Sequence, residues 1–132
     1  MEKDSQELQQ RHMEMQIISQ QMQQIQQQLQ MIETQLVEVA STKEALSDLE
    51  KTKTGSEILA PVSNGIFVKG SLSDNQKLSV NVGSGVVVEK TIPEVIKIIE
   101  EQEQEIKNAY ENLTEELQKM GTKALELENS MN

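Results

Sequence analysis

The sequence predicts an α+β chain: a long antiparallel coiled-coil hairpin with two β-hairpins joining the helices, their strands completing a β-barrel in an oligomer. Three observations predict it. Apolar residues recur at alternating spacings of three and four over residues 15–39 and again over 92–131, which is the signature of paired helices. Between these stretches, residues 58–89 change to a two-residue period, with four short apolar runs separated by turn-forming residues, the pattern of two hairpins. The 132 residues also include one Phe, one Tyr and no Trp. Cores draw much of their buried area from aromatics, so Leu, Ile, Val and Met here are expected to form a seam. Residues 1–132 read as one domain, with helices over about 5–53 and 92–131 and the hairpins over 58–89.

The N-terminal helix carries its seam on Met15, Ile18, Met22, Ile25, Leu29, Ile32, Leu36 and Val39. Leu8 extends it backwards and Arg11 interrupts it. Beyond Val39 the heptad positions fall on Lys43, Leu46 and Glu50, so the seam frays toward both ends. Lys51, Lys53 and Gly55 form a helix stop. From Gln16 to Ile32 there is no charged residue and Gln dominates. Intact heptads through this tract argue for helix over Gln-rich disorder. Because the flanks lack the charges that fix coiled-coil partners, pairing must be specified elsewhere.

In the middle segment, Ile58-Leu59-Ala60-Pro61-Val62 and Ile66-Phe67-Val68-Lys69-Gly70-Ser71-Leu72 flank Asn64-Gly65, a strong two-residue hairpin signal. Leu78-Ser79-Val80-Asn81-Val82 and Val86-Val87-Val88-Glu89 flank Gly83-Ser84-Gly85. Pro61 cannot donate a ladder hydrogen bond, which places its strand at an edge or a rim. Isolated hairpins are marginal in water and leave open edges. Ile58, Leu59, Val62, Ile66, Val68, Leu72, Leu78, Val80, Val82, Val86 and Val88 are therefore the candidate oligomer-interface residues.

The C-terminal helix opens at Thr91-Ile92-Pro93-Glu94. Thr91 is the cap, Glu94 completes a capping box, and Pro93 sits in the first turn, where its missing N–H is harmless. Its seam is Ile92, Ile96, Ile99, Glu103, Ile106, Tyr110, Leu113, Leu117, Met120, Ala124, Leu127 and Met131, broken by Glu103. An antiparallel arrangement would bring both termini to the far tip.

Charge and composition exclude several functions. The net charge of −10 argues against nucleic acid, whose phosphates need a basic surface, and equally against an anionic membrane. Without cysteine there are no disulfides or thiolate metal sites. No cofactor or metal is expected. No apolar run approaches the roughly 20 residues needed to cross a bilayer, and Met1-Glu2-Lys3-Asp4 opens no secretory signal, so the expected location is the cytoplasm. Catalysis is not expected: His12 lies alone in a polar segment, Gly83-Ser84-Gly85 lacks the lysine of a phosphate loop, and Asn112-Leu113-Thr114 lies within a helix.

The run from Gly55-Ser56-Glu57-Ile58-Leu59-Ala60-Pro61-Val62 through Phe67-Val68-Lys69-Gly70 to Val80-Asn81-Val82-Gly83-Ser84-Gly85-Val86-Val87-Val88-Glu89-Lys90, between two heptad helices, resembles the prefoldin family. Two hairpins rather than one are similar to its α-class subunits. Ser63 and Asn64 depart from the pattern, which often has Gly after Pro-Val. The resemblance implies a heterohexamer of two α and four β-class subunits, with paired barrels and coiled-coil tentacles. It also implies an ATP-independent holdase that captures unfolded clients at the tips and passes them to a group II chaperonin.

Client-binding candidates are apolar residues near the termini. Met13, Ile17 and Leu125 lie off the seams; Met15, Ile18, Met120, Leu127 and Met131 lie on them and have seam packing as the alternative role. Met adapts to irregular partners. A structural tether, oligomerised through its hairpins, is the other function class compatible with this pattern.

Overall fold

The computed structural model describes residues 2–131, with side chains over 4–130. The elements follow in the order α1 (Glu2–Lys51), β1 (Glu57–Ser63), β2 (Ile66–Ser71), β3 (Lys77–Gly83), β4 (Val86–Thr91) and α2 (Ile92–Met131). Helix α1 ends two residues earlier than the sequence pattern suggests, at Lys51. The chain divides into two compact units, Met1–Val37 with Gln104–Asn132, and Glu38–Glu103.

In the first unit the helices run antiparallel. Arg11 Nη1 donates to Ser130 O at 3.0 Å. Met22 Cε reaches within 4.0 Å of where a Cβ on Gly121 would stand, and Tyr110 Oη donates to Glu33 Oε1 at 3.0 Å. As the α1 partner advances, the α2 partner retreats. All seam residues of α1 from Met15 to Leu36, and of α2 from Ile106 to Leu127, are buried or half-buried. Ile18 and Ile25 are the most covered of them, at 6% exposure each. Two strands of a coiled coil cannot surround a side chain as a globular core does, which is why most of the seam stays half-covered. Arg11, an interruption in the heptads, caps the last turn of α2, where carbonyls have no intrahelical donor. Leu8, expected to extend the seam, is exposed.

The second unit holds the two hairpins and the helix ends beside them. Lys43 Nζ pairs with Glu103 Oε1 at 3.0 Å. Past Leu46 the half-buried position is Leu49, and Glu50 is exposed. The heptad count expects Glu50. A three-residue step keeps an apolar side chain inward and turns the carboxylate out. Asn75, in the link between the hairpins, donates from Nδ2 to Glu50 O at 3.3 Å and Thr52 O at 2.9 Å, satisfying carbonyls at the end of α1. Gln76 O accepts from Ile92 N–H at 3.1 Å, and Thr91 Oγ1 accepts from Glu94 N–H at 3.3 Å while donating to Glu94 Oε1 at 3.0 Å. The expected cap is present, with the carboxylate bonded to the threonine hydroxyl. Ile92, at 1% exposure, is the most buried side chain among those described.

Strands β1 and β2 form one antiparallel two-stranded sheet, β3 and β4 another. Their designs match. Pro61 pairs with Phe67 and Ser63 with Ile66, leaving Val62 as the extra residue of a bulge. Asn81 pairs with Val87 and Gly83 with Val86, leaving Val82 in the same role. The turns differ from expectation. Positive φ at both central residues, the requirement of a type I′ turn, occurs at Ser84 (52°) and Gly85 (76°). In the Asn64-Gly65 turn only Gly65 is left-handed, at 79°. Asn81 Oδ1 accepts from Gly83 N–H at 2.9 Å, which braces the second turn and helps hold Ser84 in a region that disfavours Cβ. Leu72 lies just past β2, but its N–H donates to Ser56 O at 2.9 Å and its O accepts from Gly55 N–H at 2.6 Å.

Candidate functional site

Two sets of apolar side chains remain open to solvent. The first is on the hairpins. In β1 and β2 every residue is exposed. Cross-strand pairing puts Ile58, Ala60 and Val68 on one face, with Ile58 lying 3.7 Å from where a Cβ on Gly70 would stand. Leu59, Pro61 and Phe67 occupy the other. The alternation in β2 suggests a single apolar face, but the cross-strand neighbours of Phe67 make the second face apolar too. Phe67, 56% exposed, was outside the candidate set because its own strand places it among polar neighbours. Its partner Pro61 supplies the missing signal, and that pairing is set by the bulge.

The second hairpin is partly covered. Leu78, Val80 and Val88 are half-buried, while Val82, Val86 and Val87 are exposed. Of the interface candidates, Ile58, Leu59, Val62, Ile66, Val68, Val82 and Val86 are thus open in the single chain. Leu72, Leu78, Val80 and Val88 are half-covered. A charged fringe is sparse: Lys69 Nζ and Glu57 Oε1 approach to 3.9 Å across the first hairpin while both stay well exposed, so the contact adds little.

The second set lies on the helices of the first unit. Met13 (63% exposed), Ile17 (52%) and Leu125 (57%) stand clear of the seam. Met15, Met120 and Leu127 are half-buried, and Ile18 is consumed by the seam. Met131's side chain lies outside the described residues. A groove of about 340 Å³ runs beside the seam, lined by Met15, Ile18, Met22 and Ala124 with Ser19, Gln23 and Gln26. Ala124 and nearby Gly121 are small, so the long methionines of α1 meet little opposite them. The rim is uncharged. Met31 and Val37 are also exposed; both sit off the heptad positions, and Met31 repeats the phase of Ile17 two heptads on. Reading off-seam apolar residues along the full helix, rather than near the termini alone, would have found them.

The electrostatics are simple. Tyr110 has its pKa raised above the ordinary 10.0, first by its hydrogen bond to Glu33, then by the negative charge of that carboxylate, then by desolvation. No group of three or more His, Asp or Glu side chains among the described residues could hold a metal ion. Among the described residues no helix is long and apolar enough to cross a membrane.

Known proteins share this architecture. A solved chain in the cryo-EM structure of filamentous PFD from Methanocaldococcus jannaschii matches with a TM-score of 0.77 over 87% of this chain and 95% of that one, at 17% identity, a likeness of fold. The prefoldin subunit alpha of Thermofilum pendens is 32% identical over 94 residues, 71% of this chain and 73% of that protein. That of Pyrococcus horikoshii is 33% identical over 110 residues, 83% and 74% of the two chains. The Archaeoglobus fulgidus prefoldin subunit alpha is 27% identical over 131 residues, 99% and 83%. The family model described as Prefoldin subunit matches residues 18–132, taking in the seam of α1 from Ile18 onward, both hairpins and all of α2. Two heptad helices joined by paired, bulged hairpins, with relatives of this kind, place the chain in the prefoldin family as an α-class subunit.

Proposed function

We propose that this prefoldin chaperone subunit is an ATP-independent holdase component that captures unfolded polypeptides through the terminal part of its helices and delivers them to a group II chaperonin. The observation that carries this reading is the exposure of Met13, Ile17 and Leu125 outside the seam. A passive spacer has no need of large apolar side chains there, whereas transient cover of exposed client segments does. The methionine-lined groove beside them suits clients of many shapes, since a thioether chain repacks easily.

The hairpins serve assembly in this reading. Their open faces and edges are closed by strands of β-class subunits, in a heterohexamer of two α and four β chains that works in the cytoplasm. Residues 1–132 act as one prefoldin-like domain, and neither nucleic acid nor membrane is a partner.

The test is suppression of client aggregation by the assembled protein. A Met13→Ser/Ile17→Ser/Leu125→Ser variant should assemble like the parent but leave the turbidity of a diluted, denatured client close to that of the client alone. Full protection by this variant would overturn the assignment of capture to Met13, Ile17 and Leu125, and no protection by the parent would leave only the tether function.

A further inference from the structure

We propose that Lys43 and Glu103 form the element that selects which helices pair and in which register. Both occupy seam positions. Between Met15 and Leu46 Lys43 is the one charged seam residue of α1, and between Ile92 and Leu127 Glu103 is the one charged seam residue of α2. Each alone is a defect in its own helix. In the fold they meet, with Nζ and Oε1 3.0 Å apart and side-chain exposures of 29% and 15%.

The rest of the seam discriminates poorly. Leu, Ile and Met pack acceptably against one another in many registers, and from Gln16 to Ile32 the α1 flanks carry no charge with which to choose a partner. The ion pair supplies what they lack. If α1 paired in parallel with α1 of a second chain, Lys43 would face Lys43. Parallel pairing of α2 with α2 would put Glu103 against Glu103. A one-heptad slip within the hairpin would set Lys43 beside Ile96 or Tyr110, and Glu103 beside Leu36 or Glu50. Each of these arrangements leaves half-buried charge against an uncharged or like-charged neighbour, which is costly. A polar residue at one seam position is known to fix register at some expense in stability, and here that role is divided between two side chains of opposite sign.

This assignment does not depend on client capture. The sequence has no cysteine, so Leu46→Cys and Ile99→Cys, one seam step beyond the pair on each helix, give a clean reporter. After equilibration in a thiol–disulfide buffer, non-reducing electrophoresis gives the ratio of intramolecular to intermolecular disulfide. Adding Lys43→Leu/Glu103→Leu should lower that ratio roughly tenfold, a factor equivalent to about 1.4 kcal/mol, while the thermal midpoint holds or rises. Lys43→Glu alone should lower the ratio as well, and Lys43→Glu/Glu103→Lys should restore it. A parental ratio in the double-leucine variant overturns the proposal. So does a charge-reversed pair that behaves like Lys43→Glu alone.

Discussion

The helices and the hairpins treat apolar residues in opposite ways. In the seam, Ile18 and Ile25 are 6% exposed and their neighbours half-covered. On β1 and β2, Ile58, Leu59, Val62, Ile66, Phe67 and Val68 are all open. Composition does not explain the contrast, because both regions are rich in branched aliphatics. Geometry does. A heptad stripe finds its complement on another stripe of the same chain, whereas a two-stranded sheet has two faces and two edges and this chain provides cover for only part of one hairpin. Seam residues should therefore govern the stability of the single subunit, and strand residues should govern its association.

The largest effect should break association alone. Val68→Asp/Val86→Asp puts charge on both open hairpins. It should abolish assembly with other prefoldin subunits in size-exclusion chromatography while changing the unfolding free energy of the isolated subunit by no more than about 0.5 kcal/mol, the range of ordinary surface changes. A similar loss of subunit stability would mean that the strands are already covered within the chain.

Next in size is the converse change. Ile25→Ala removes a covered seam side chain and should cost about 2–4 kcal/mol in denaturant unfolding, and Ile92→Ala at the junction a similar amount. Smaller again is Asn75→Ala, which leaves two carbonyls at the end of α1 without their donor; about 1 kcal/mol is expected, visible in the same unfolding curves.

The smallest effect concerns Tyr110. Its hydrogen bond to Glu33 raises the folded pKa above 10.0, so the bond's contribution is complete below the unfolded value and is lost as pH rises through the folded one. Ultraviolet titration should find the phenol ionising above the usual pH, and Glu33→Gln should lower the midpoint toward it. An unchanged midpoint in that variant would remove Glu33 as the cause.

The seam phases, both hairpins and the Thr91 cap were legible in the sequence because each rests on local spacing. What was not legible rests on contacts distant in sequence or on competition between close alternatives. Lys43 and Glu103 read as two separate defects until the cross-helix register brings them together. Asn75 gives no local sign that it caps α1, since the carbonyls it bonds belong to Glu50 and Thr52. Leu49 displaces Glu50 from the seam because neighbouring positions on a helix compete for the same inward direction. Asn64-Gly65 carries the stronger turn signal, yet Ser84-Gly85 adopts the left-handed pair of φ values, helped by the Asn81 side chain. For the client and interface candidates, the fold sorted by exposure what the sequence had located; Phe67 and Met31, also exposed, fell outside those candidates because each is apolar at a position its own element makes peripheral.

The Lys43–Glu103 contact also bears on how the chain reaches this state. The hairpins and separate helices need only near neighbours, but contacts between the helices must close long loops. Lys43 and Glu103 are 60 residues apart, Glu33 and Tyr110 77, and Arg11 and Ser130 119. Doubling a loop adds only about 0.6 kcal/mol to its closure entropy, so length alone gives the ion pair a modest lead over the outermost contact. Formation of the intervening hairpins shortens the effective loop and increases that lead. Folding is then expected to nucleate beside the hairpins, with the correct register imposed at the first closure and the remaining seam zipping outward from it.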